Sequence, residues 1–394
     1  MRPVAITDYT LASAIGVGRD ATLIALQEGR SGLVRKAFET ATLDTWVGEV
    51  SGVDAVRLPD ELAASDCRNN RLAWLGLQAD DFAGSVERTR KRLGAQRIGV
   101  FLGTSTSGIL TTEQAYRRRD PDTGALPSDF RYAETHSTGS LAAFVRRALA
   151  LTGPAFVVST ACSSSAKAYC SAARMIEQGL IDAAVVGGVD SLCLTILYGF
   201  DSLELLSPDV CRPWDRDRRG LSLGEGAAFS LLERDARRPQ AWLLGVGESS
   251  DGYHMSSPHP EGAGAVNAMR DALSQARIAP GEVDYINLHG TATPNNDAVE
   301  DLAVVTVFGN GLPCSSTKGA TGHTLGAAGG VEAAICLLAL RHRVMPGGLT
   351  RHTPDGALRA AYLDCPREAP LRTVASNSFG FGGSNACLVL GATR

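Results

Sequence analysis

The chain has 394 residues, a formal net charge of −4, 44% apolar residues and 20% charged residues. This balance describes a globular protein and excludes disordered, fibrous and general nucleic-acid-binding classes, the last because there is no basic surplus to meet phosphates. No run of about 20 apolar residues and no N-terminal apolar h-region is present, so neither a membrane span nor a secretory signal is expected; nine cysteines, an odd number without a dense framework, point to a reducing cytoplasm.

In chain order, the first clear strand is 98–103, a short apolar run bounded by glycine. Residues 116–128, charged and punctuated by proline and glycine, read as an exposed loop. A helix is expected over 138–151. A buried strand at 155–159 runs into a cluster of tiny residues and a helix over 163–178, with Gly179 as its C-cap. Further buried strands are expected at 183–187, 227–232 and 283–288. Residues 331–341 are apolar nearly all round and read as a buried helix. The alternation predicts α/β layers with a parallel or mixed sheet. The run Gly103-Thr104-Ser105-Thr106 is echoed by Gly290-Thr291-Ala292-Thr293, and Ser159-Thr160-Ala161-Cys162 by Cys314-Ser315-Ser316-Thr317-Lys318. Two similar halves with a seam near 233–240 would explain both.

Four segments carry residues suited to chemistry. Cys162 stands at a strand-to-helix corner, where unpaired amides and the helix dipole favour the nucleophilic thiolate; a buried structural cysteine fits the same letters. Asn287-Leu288-His289-Gly290-Thr291-Ala292-Thr293-Pro294 is a strand end opening into a loop, a place for a catalytic histidine or a hydrogen-bonded turn. Further on, Lys318 and His323 lie among small residues from Ser316 to Gly330. A buried lysine there needs a carboxylate, and Glu332 is the candidate; a glycine-rich packing seam is the alternative. Finally, Ser376-Asn377-Ser378-Phe379-Gly380-Phe381-Gly382-Gly383-Ser384-Asn385 leaves backbone N–H groups approachable, as an oxyanion hole requires. Phe379 and Phe381 would wall or gate a channel, or form a tight turn with two core aromatics.

Together and in this order, the four segments resemble the β-ketoacyl-acyl-carrier-protein synthases, condensing enzymes of the thiolase superfamily. Residues 98–108 resemble that family's glycine-rich strand end. Arg212-Pro213-Trp214-Asp215 and Gly224-Glu225-Gly226-Ala227 resemble two more of its segments, and Asp297 and Glu300 match its acidic pair. The resemblance spans nearly the whole chain. It implies an α/β, thiolase-like five-layer αβαβα fold of two duplicated halves, 1–236 with the nucleophilic cysteine and 237–394 with both histidines.

The implied activity is acyl transfer with decarboxylative condensation. Cys162 holds the acyl chain as a thioester taken from a carrier phosphopantetheine, and malonyl-carrier protein then enters. His289 and His323 donate N–H to the enolate formed on decarboxylation. Its carbon attacks the thioester, whose oxyanion sits on the backbone N–H groups of Cys162 and Phe381. Lys318 is expected to orient His323 or Glu332, with Thr291 and Thr293 in support. In some relatives the residues matching Asn287, Glu332, Ser376 and Asn377 line a monovalent cation site. No cofactor is implied beyond the carrier-bound substrates. The implied partners are an acyl carrier protein and a second subunit, in a homodimer or in a heterodimer with a chain-length-factor-like chain. Carrier proteins are acidic, so Arg68, Arg71, Arg117, Arg118 and Arg119 are docking candidates, with a solvated loop face the alternative for the last three.

Some positions depart from the family pattern. Thr7-Asp8-Tyr9-Thr10 replaces an N-terminal Thr-Gly-[Ile/Leu]-Gly, Trp214 replaces a phenylalanine, three serines follow Cys162, and Thr106 stands where a long-chain class is bulkier. The runs around Cys162 and His289 also resemble synthases of bacterial aryl-polyene pigment clusters. A serine hydrolase fails on spacing, and a zinc site lacks compact ligand spacing. A thiolase would need a second catalytic cysteine near the C-terminus, whereas Cys387 reads as core. A non-catalytic chain-length-factor-like subunit would have lost the nucleophile that this chain keeps.

Overall fold

The computed structural model describes residues 1–236 and 238–393. The first half contributes strands β1 (Val4–Ser13), β2 (Ile98–Gly103), β3 (Ala155–Val158), β4 (Ala183–Asp190) and β5 (Gly226–Glu233). The second contributes β6 (Ala241–Ser250), β7 (Tyr285–Asn287), β8 (Pro313–Ser315), β9 (Ala361–Tyr362), β10 (Thr373–Gly380) and β11 (Ser384–Ala392). The helices that matter to the site are α1 (Arg68–Gln78), α2 (Ser140–Ala148), α3 (Ser164–Glu177), α4 (Leu194–Ser202), α5 (Ala263–Ala276), α6 (Pro294–Phe308) and α7 (Ala328–His342).

Side by side the strands read β9-β8-β7-β10-β11-β6-β1-β5-β4-β2-β3, and the short strand Gly16–Val17 folds back on β1. Outward from the central β6–β1 pair, each half repeats one order. Its first strand is followed by its last, its next-to-last, its second and its third. In both halves the first two steps are antiparallel and the next two parallel. Among the described residues the repeat is extended by β9, beyond β8, in the second half and by the Gly16–Val17 strand in the first. The echo seen in the sequence is therefore the trace of a duplicated α/β unit. The boundary expected between 236 and 237 falls at Arg237, which lies outside the described residues.

Three apolar clusters separate the layers. One lies between the first-half strands and α1 and α2. A second lies between the second-half strands and α5 and α6. The largest surrounds α3 and α7, which pack together with sheet on either side. This gives five layers, αβαβα. The window Leu325–His342 is long and apolar enough to cross a membrane by composition, but 89% of it is buried in this central layer. An all-round apolar helix is what a two-sided burial demands.

Most expected elements form with ends shifted by a few residues. One expectation fails in character: 155–159 was read as a buried strand, yet β3 is the open edge of the sheet and Phe156 is 54% exposed. An apolar run marks a strand without saying whether both of its faces and edges are covered. The loop at 116–128 loses its first two residues to the helix Ile109–Arg117.

The fold brings the strand ends that matter to one place. Gly103 ends β2 against the first turn of α3, and a Cβ there would run into the backbone of Ser164 and Ser165. Only glycine lets the strand lie against the helix terminus this closely.

Candidate active site

Cys162 sits at the corner between β3 and α3, two residues before the first helical residue, Ser164. Ala161, just before it, is held at φ 52°, a left-handed conformation that costs a non-glycine residue about 1 kcal/mol or more. Gly380 lies directly over this corner: a Cβ there would meet Thr160 O at 2.7 Å and Ser163 N at 3.1 Å. That approach brings the backbone N–H of Phe381 onto the Cys162 sulfur. On the other side His323 Nε2 is 2.9 Å from Cys162 Sγ.

The first-turn amides favour a thiolate at Cys162, and burial opposes them. Burial pushes the Cys162 thiol up to about 12, and the ammonium of Lys318 and the Phe381 N–H pull it only part of the way back. Loss of water and the first-turn amides thus act in opposite directions on this sulfur.

His289 follows β7 and is fastened through its backbone. Glu300, on α6, accepts the N–H of His289 at 2.8 Å, the N–H of Gly290 at 2.7 Å and the Asn377 side-chain amide at 3.1 Å. Asp297, one turn earlier, accepts the N–H of Ala292 at 3.2 Å and of Trp214 at 3.0 Å. Burial raises Glu300 to about 7 and Asp297 to about 6, against the hydrogen bonds that favour their charged forms. The rings of His289 and His323 meet edge to face, with centroids 5.4 Å apart and planes at 84°. Burial first, then Lys318, holds both imidazoles well below the usual histidine range, and His323 lowers His289 further. Both rings are neutral at ordinary pH, each with one N–H to donate.

Of the two partners expected for Lys318, the structure gives Glu332 and adds a backbone carbonyl. Its ammonium bonds the Glu332 carboxylate and the backbone carbonyl of His289. It therefore positions the His289 loop and neutralises Glu332; no hydrogen bond from it to His323 is formed among the described residues.

The pocket in front of Cys162 has a volume of about 320 Å³ and is lined by His289, Thr291, Thr293, Phe379 and Phe381 among others. Thr291 and Thr293 share a hydroxyl contact of 2.9 Å. Phe381 stacks on Phe200 at 5.6 Å, and Phe379 leans on His289 at 5.9 Å. Sequence reasoning missed Phe200, Leu203 and Leu205, which form one wall of this site. The signal available was the apolar run 194–200 followed by Leu203 and Leu205.

The four residues tied to a monovalent cation also fall together. Asn287 pairs with Ser376 in the β7–β10 register, and Glu332 lies on α7, which packs on β10. Asn287 Oδ1, Glu332 Oε2, Ser376 Oγ and Asn377 Oδ1 are buried without a hydrogen-bond partner among the described residues. A set of orphaned oxygens of this kind fits a hard cation. By contrast, spacing in the sequence misjudged the soft-ligand set: one ligand atom each from Cys162, His289 and His323 lies within 4.8 Å of the others. The Lys318 charge beside them opposes a resident metal.

Of the arginines considered for docking, Arg68 is removed, being 9% exposed and paired with buried Glu225 at 2.7 Å. Arg71 is paired with Asp66 and Arg118 with Asp129. Arg117 reaches Thr40, and Arg119 is exposed. Cys387 is buried in β11, opposite Asn377, as a core residue.

Comparison with known proteins agrees with this geometry. Residues 75–238 match the family model for the beta-ketoacyl synthase N-terminal domain, and residues 240–351 match that for the C-terminal domain. The chain is 33% identical to 3-oxoacyl-[acyl-carrier-protein] synthase 2 of Coxiella burnetii, over 99% of this chain and 98% of that protein. Among solved structures it is similar to the ketosynthase ApeO, determined in complex with its chain length factor ApeC, from Xenorhabdus doucetiae. There the TM-score is 0.90 and the identity 39%, covering 99% of this chain and 98% of the other. The ishigamide ketosynthase/chain length factor gives a TM-score of 0.89 at 30% identity, with full coverage of both chains.

Proposed function

Since the chain belongs to the β-ketoacyl synthase family, we propose that Cys162, His289 and His323 carry its chemistry. The protein is a 3-oxoacyl-ACP synthase, an acyltransferase that condenses carrier-bound acyl units in fatty-acid or polyketide-like synthesis. The observation supporting the residue assignment is the 2.9 Å contact from His323 Nε2 to Cys162 Sγ, with both imidazoles neutral.

In the first half-reaction Cys162 Sγ attacks the carbonyl of the carrier thioester. The pantetheine sulfur leaves and takes up the proton that the thiol gives up, with His323 Nε2 as the nearest acceptor. The acyl group is then a thioester on Cys162. In the second, the malonyl carboxylate leaves as CO2 and its electron pair passes into an enolate. Neutral imidazoles suit this step, because two N–H donors can face one developing oxyanion without repelling each other. The enolate carbon attacks the Cys162 thioester. The backbone N–H groups of Cys162 and Phe381 hold the tetrahedral oxygen, and collapse expels the Cys162 sulfur, which regains a proton. The product is longer by two carbons. Thr291 and Thr293 border the path along which the pantetheine arm would reach the sulfur.

Asn287, Glu332, Ser376 and Asn377 would hold a monovalent cation, which when bound supplies positive charge and fixes the strand ends beside the histidine loop. No cofactor beyond carrier-bound substrates enters this reading. The open edge of β3, with exposed Phe156, supports a dimer in which this strand meets a second subunit. Whether that subunit is a copy or a chain-length-factor-like chain follows from co-purification. Arg117 and Arg119 remain as carrier contacts, and a cytoplasmic setting suits nine free cysteines. The finer reading, aryl-polyene pigment synthesis, rests on the resemblance around Cys162 and His289.

The test is intact mass spectrometry after mixing with an acyl carrier protein. An acyl adduct on Cys162 that Cys162→Ala abolishes is expected, and acylation at another residue would overturn the assignment. Aryl-primed against saturated acyl carriers then separates pigment from fatty-acid synthesis.

A further inference from the structure

One fully buried carboxylate beside the nucleophile has no role in the chemistry above. Asp190 ends β4, two residues past Gly188, which pairs with Gly103 at the end of β2. It is 0% exposed and forms no ion pair among the described residues. Six donor groups converge on it instead. Its Oδ1 accepts Thr104 Oγ1 at 2.7 Å, the Ser105 N–H at 2.9 Å, the Thr106 N–H at 2.8 Å and Thr106 Oγ1 at 2.6 Å. Its Oδ2 accepts the Ser105 N–H at 3.0 Å, Ser105 Oγ at 3.1 Å and the Gly326 N–H at 2.6 Å. A buried carboxylate without a cation persists only when donors replace its water in this way.

Five of those donors belong to the loop leaving β2, and the sixth belongs to the turn Leu325–Ala327 that follows His323. The two segments are pressed together there. A Cβ on Gly326 would meet Ser105 Oγ at 2.6 Å and Asp190 Oδ2 at 2.7 Å. Leu325 is held at φ 56°, a strained conformation for a branched-chain residue. His323 is gripped on its other side by Ser222 and Gly224, through backbone bonds of 2.8 and 3.0 Å. The turn after His323 is thus held in place by the Asp190 contact to Gly326.

We infer that Asp190 is a positioning residue: through the Gly326 N–H it locks the His323 turn against the 104–106 loop and so fixes His323 Nε2 beside Cys162 Sγ. This rests on His323 acting in decarboxylation. The carboxylate suits the task because it can accept six donors at once, which an amide of the same size cannot.

The experiment compares the parent, Asp190→Asn, His323→Ala and the double variant, each confirmed folded by circular dichroism. Decarboxylation of malonyl-carrier protein and alkylation of Cys162 by iodoacetamide are measured on each. In D190N the kcat for decarboxylation is expected to fall on the order of 10- to 100-fold, the effect of a small misplacement. KM should stay within about twofold and alkylation should not slow. In the H323A background D190N is expected to add no more than about a further twofold loss, because its effect runs through His323. Gly326→Ala, which wedges the same joint, should show the same one-sided loss and serves if D190N does not fold. If H323A abolishes decarboxylation while D190N and G326A keep the parental kcat, the positioning role is wrong and the His323 reading stands. If H323A retains full decarboxylation, the His323 reading itself is at fault. Losses in D190N that multiply with H323A, or that strike alkylation equally, would reduce Asp190 to a folding residue.

Discussion

Replacing Lys318 with methionine keeps the length of the side chain and deletes its charge. The lysine is 1% exposed and pairs with Glu332, 4% exposed, while its second bond holds the His289 carbonyl. Breaking a buried pair by removing one partner costs about 3–5 kcal/mol, because the other charge is left without compensation. Glu332 is already poised at about 7 by burial, so it escapes part of the cost by taking up a proton. For a chain of 394 residues the unfolding entropy is roughly 0.8 kcal/mol per kelvin, so the melting temperature of K318M should drop by about 4–6 °C. The double variant K318M/E332L removes both charges and should recover most of that loss in scanning calorimetry. The site gives a second signature. Lys318 lowers the Cys162 pKa and Glu332 raises it. Alkylation of Cys162 at fixed pH should therefore slow in K318M and quicken in E332Q. A melting temperature within about 1 °C of the parent would refute the reasoning. So would a double variant no better than K318M, or alkylation rates moving in the same direction in both single variants.

Gly103→Ala should push β2 off the first turn of α3, since its Cβ would strike backbone that cannot turn aside; we expect soluble protein to lose about 2 kcal/mol or more in urea denaturation, with slower Cys162 acylation, and parental values for both would contradict the close-packing argument. The buried thiols of Cys67, Cys162, Cys211 and Cys387 are raised by burial to between about 11 and about 12 from an ordinary value of 9.0. Groups raised in the fold lend stability that is fully present below the unfolded value and lost as pH rises through the folded one, so the urea midpoint should fall steadily from pH 9 upward; a flat midpoint to pH 11 would show these thiols are not shielded as described. Phe156→Asp puts a charge on the open edge of β3 and should turn a dimer into monomers in light scattering, with no change in the far-ultraviolet spectrum; an unchanged mass would move the interface elsewhere.

Much of the site was legible because its residue types are dictated by chemistry and its spacing by the fold. Cys162, His289 and His323 each stand at a strand or turn end beside a residue in left-handed backbone: Ala161, Gly290 and Gly322. Small and glycine-rich runs betray such corners. The ionic state of Cys162 was not legible, since burial is a sum over distant segments that local sequence does not contain. The partner of Lys318 was legible as Glu332, but the His289 carbonyl was not, because a backbone acceptor leaves no mark in the letters. Arg68 looked like a surface cation because its burial depends on α1 packing on the strand that follows Glu225, a contact between segments far apart in the chain. Asp190 escaped notice because five of its six donors are hydroxyl and amide groups of the loop after β2, ordinary serine and threonine letters distant in sequence.

The burial of Cys162 also bears on how the chain meets oxidants. Peroxide and disulfides react with thiolates, and those that are open to solvent react first. Cys162 is 5% exposed and burial works against its thiolate, so oxidants are expected to reach it slowly. Cys365, exposed and outside the reaction centre, is the thiol that would be consumed in its place. A preparation left in air is therefore expected to lose its surface thiol before Cys162 is oxidised.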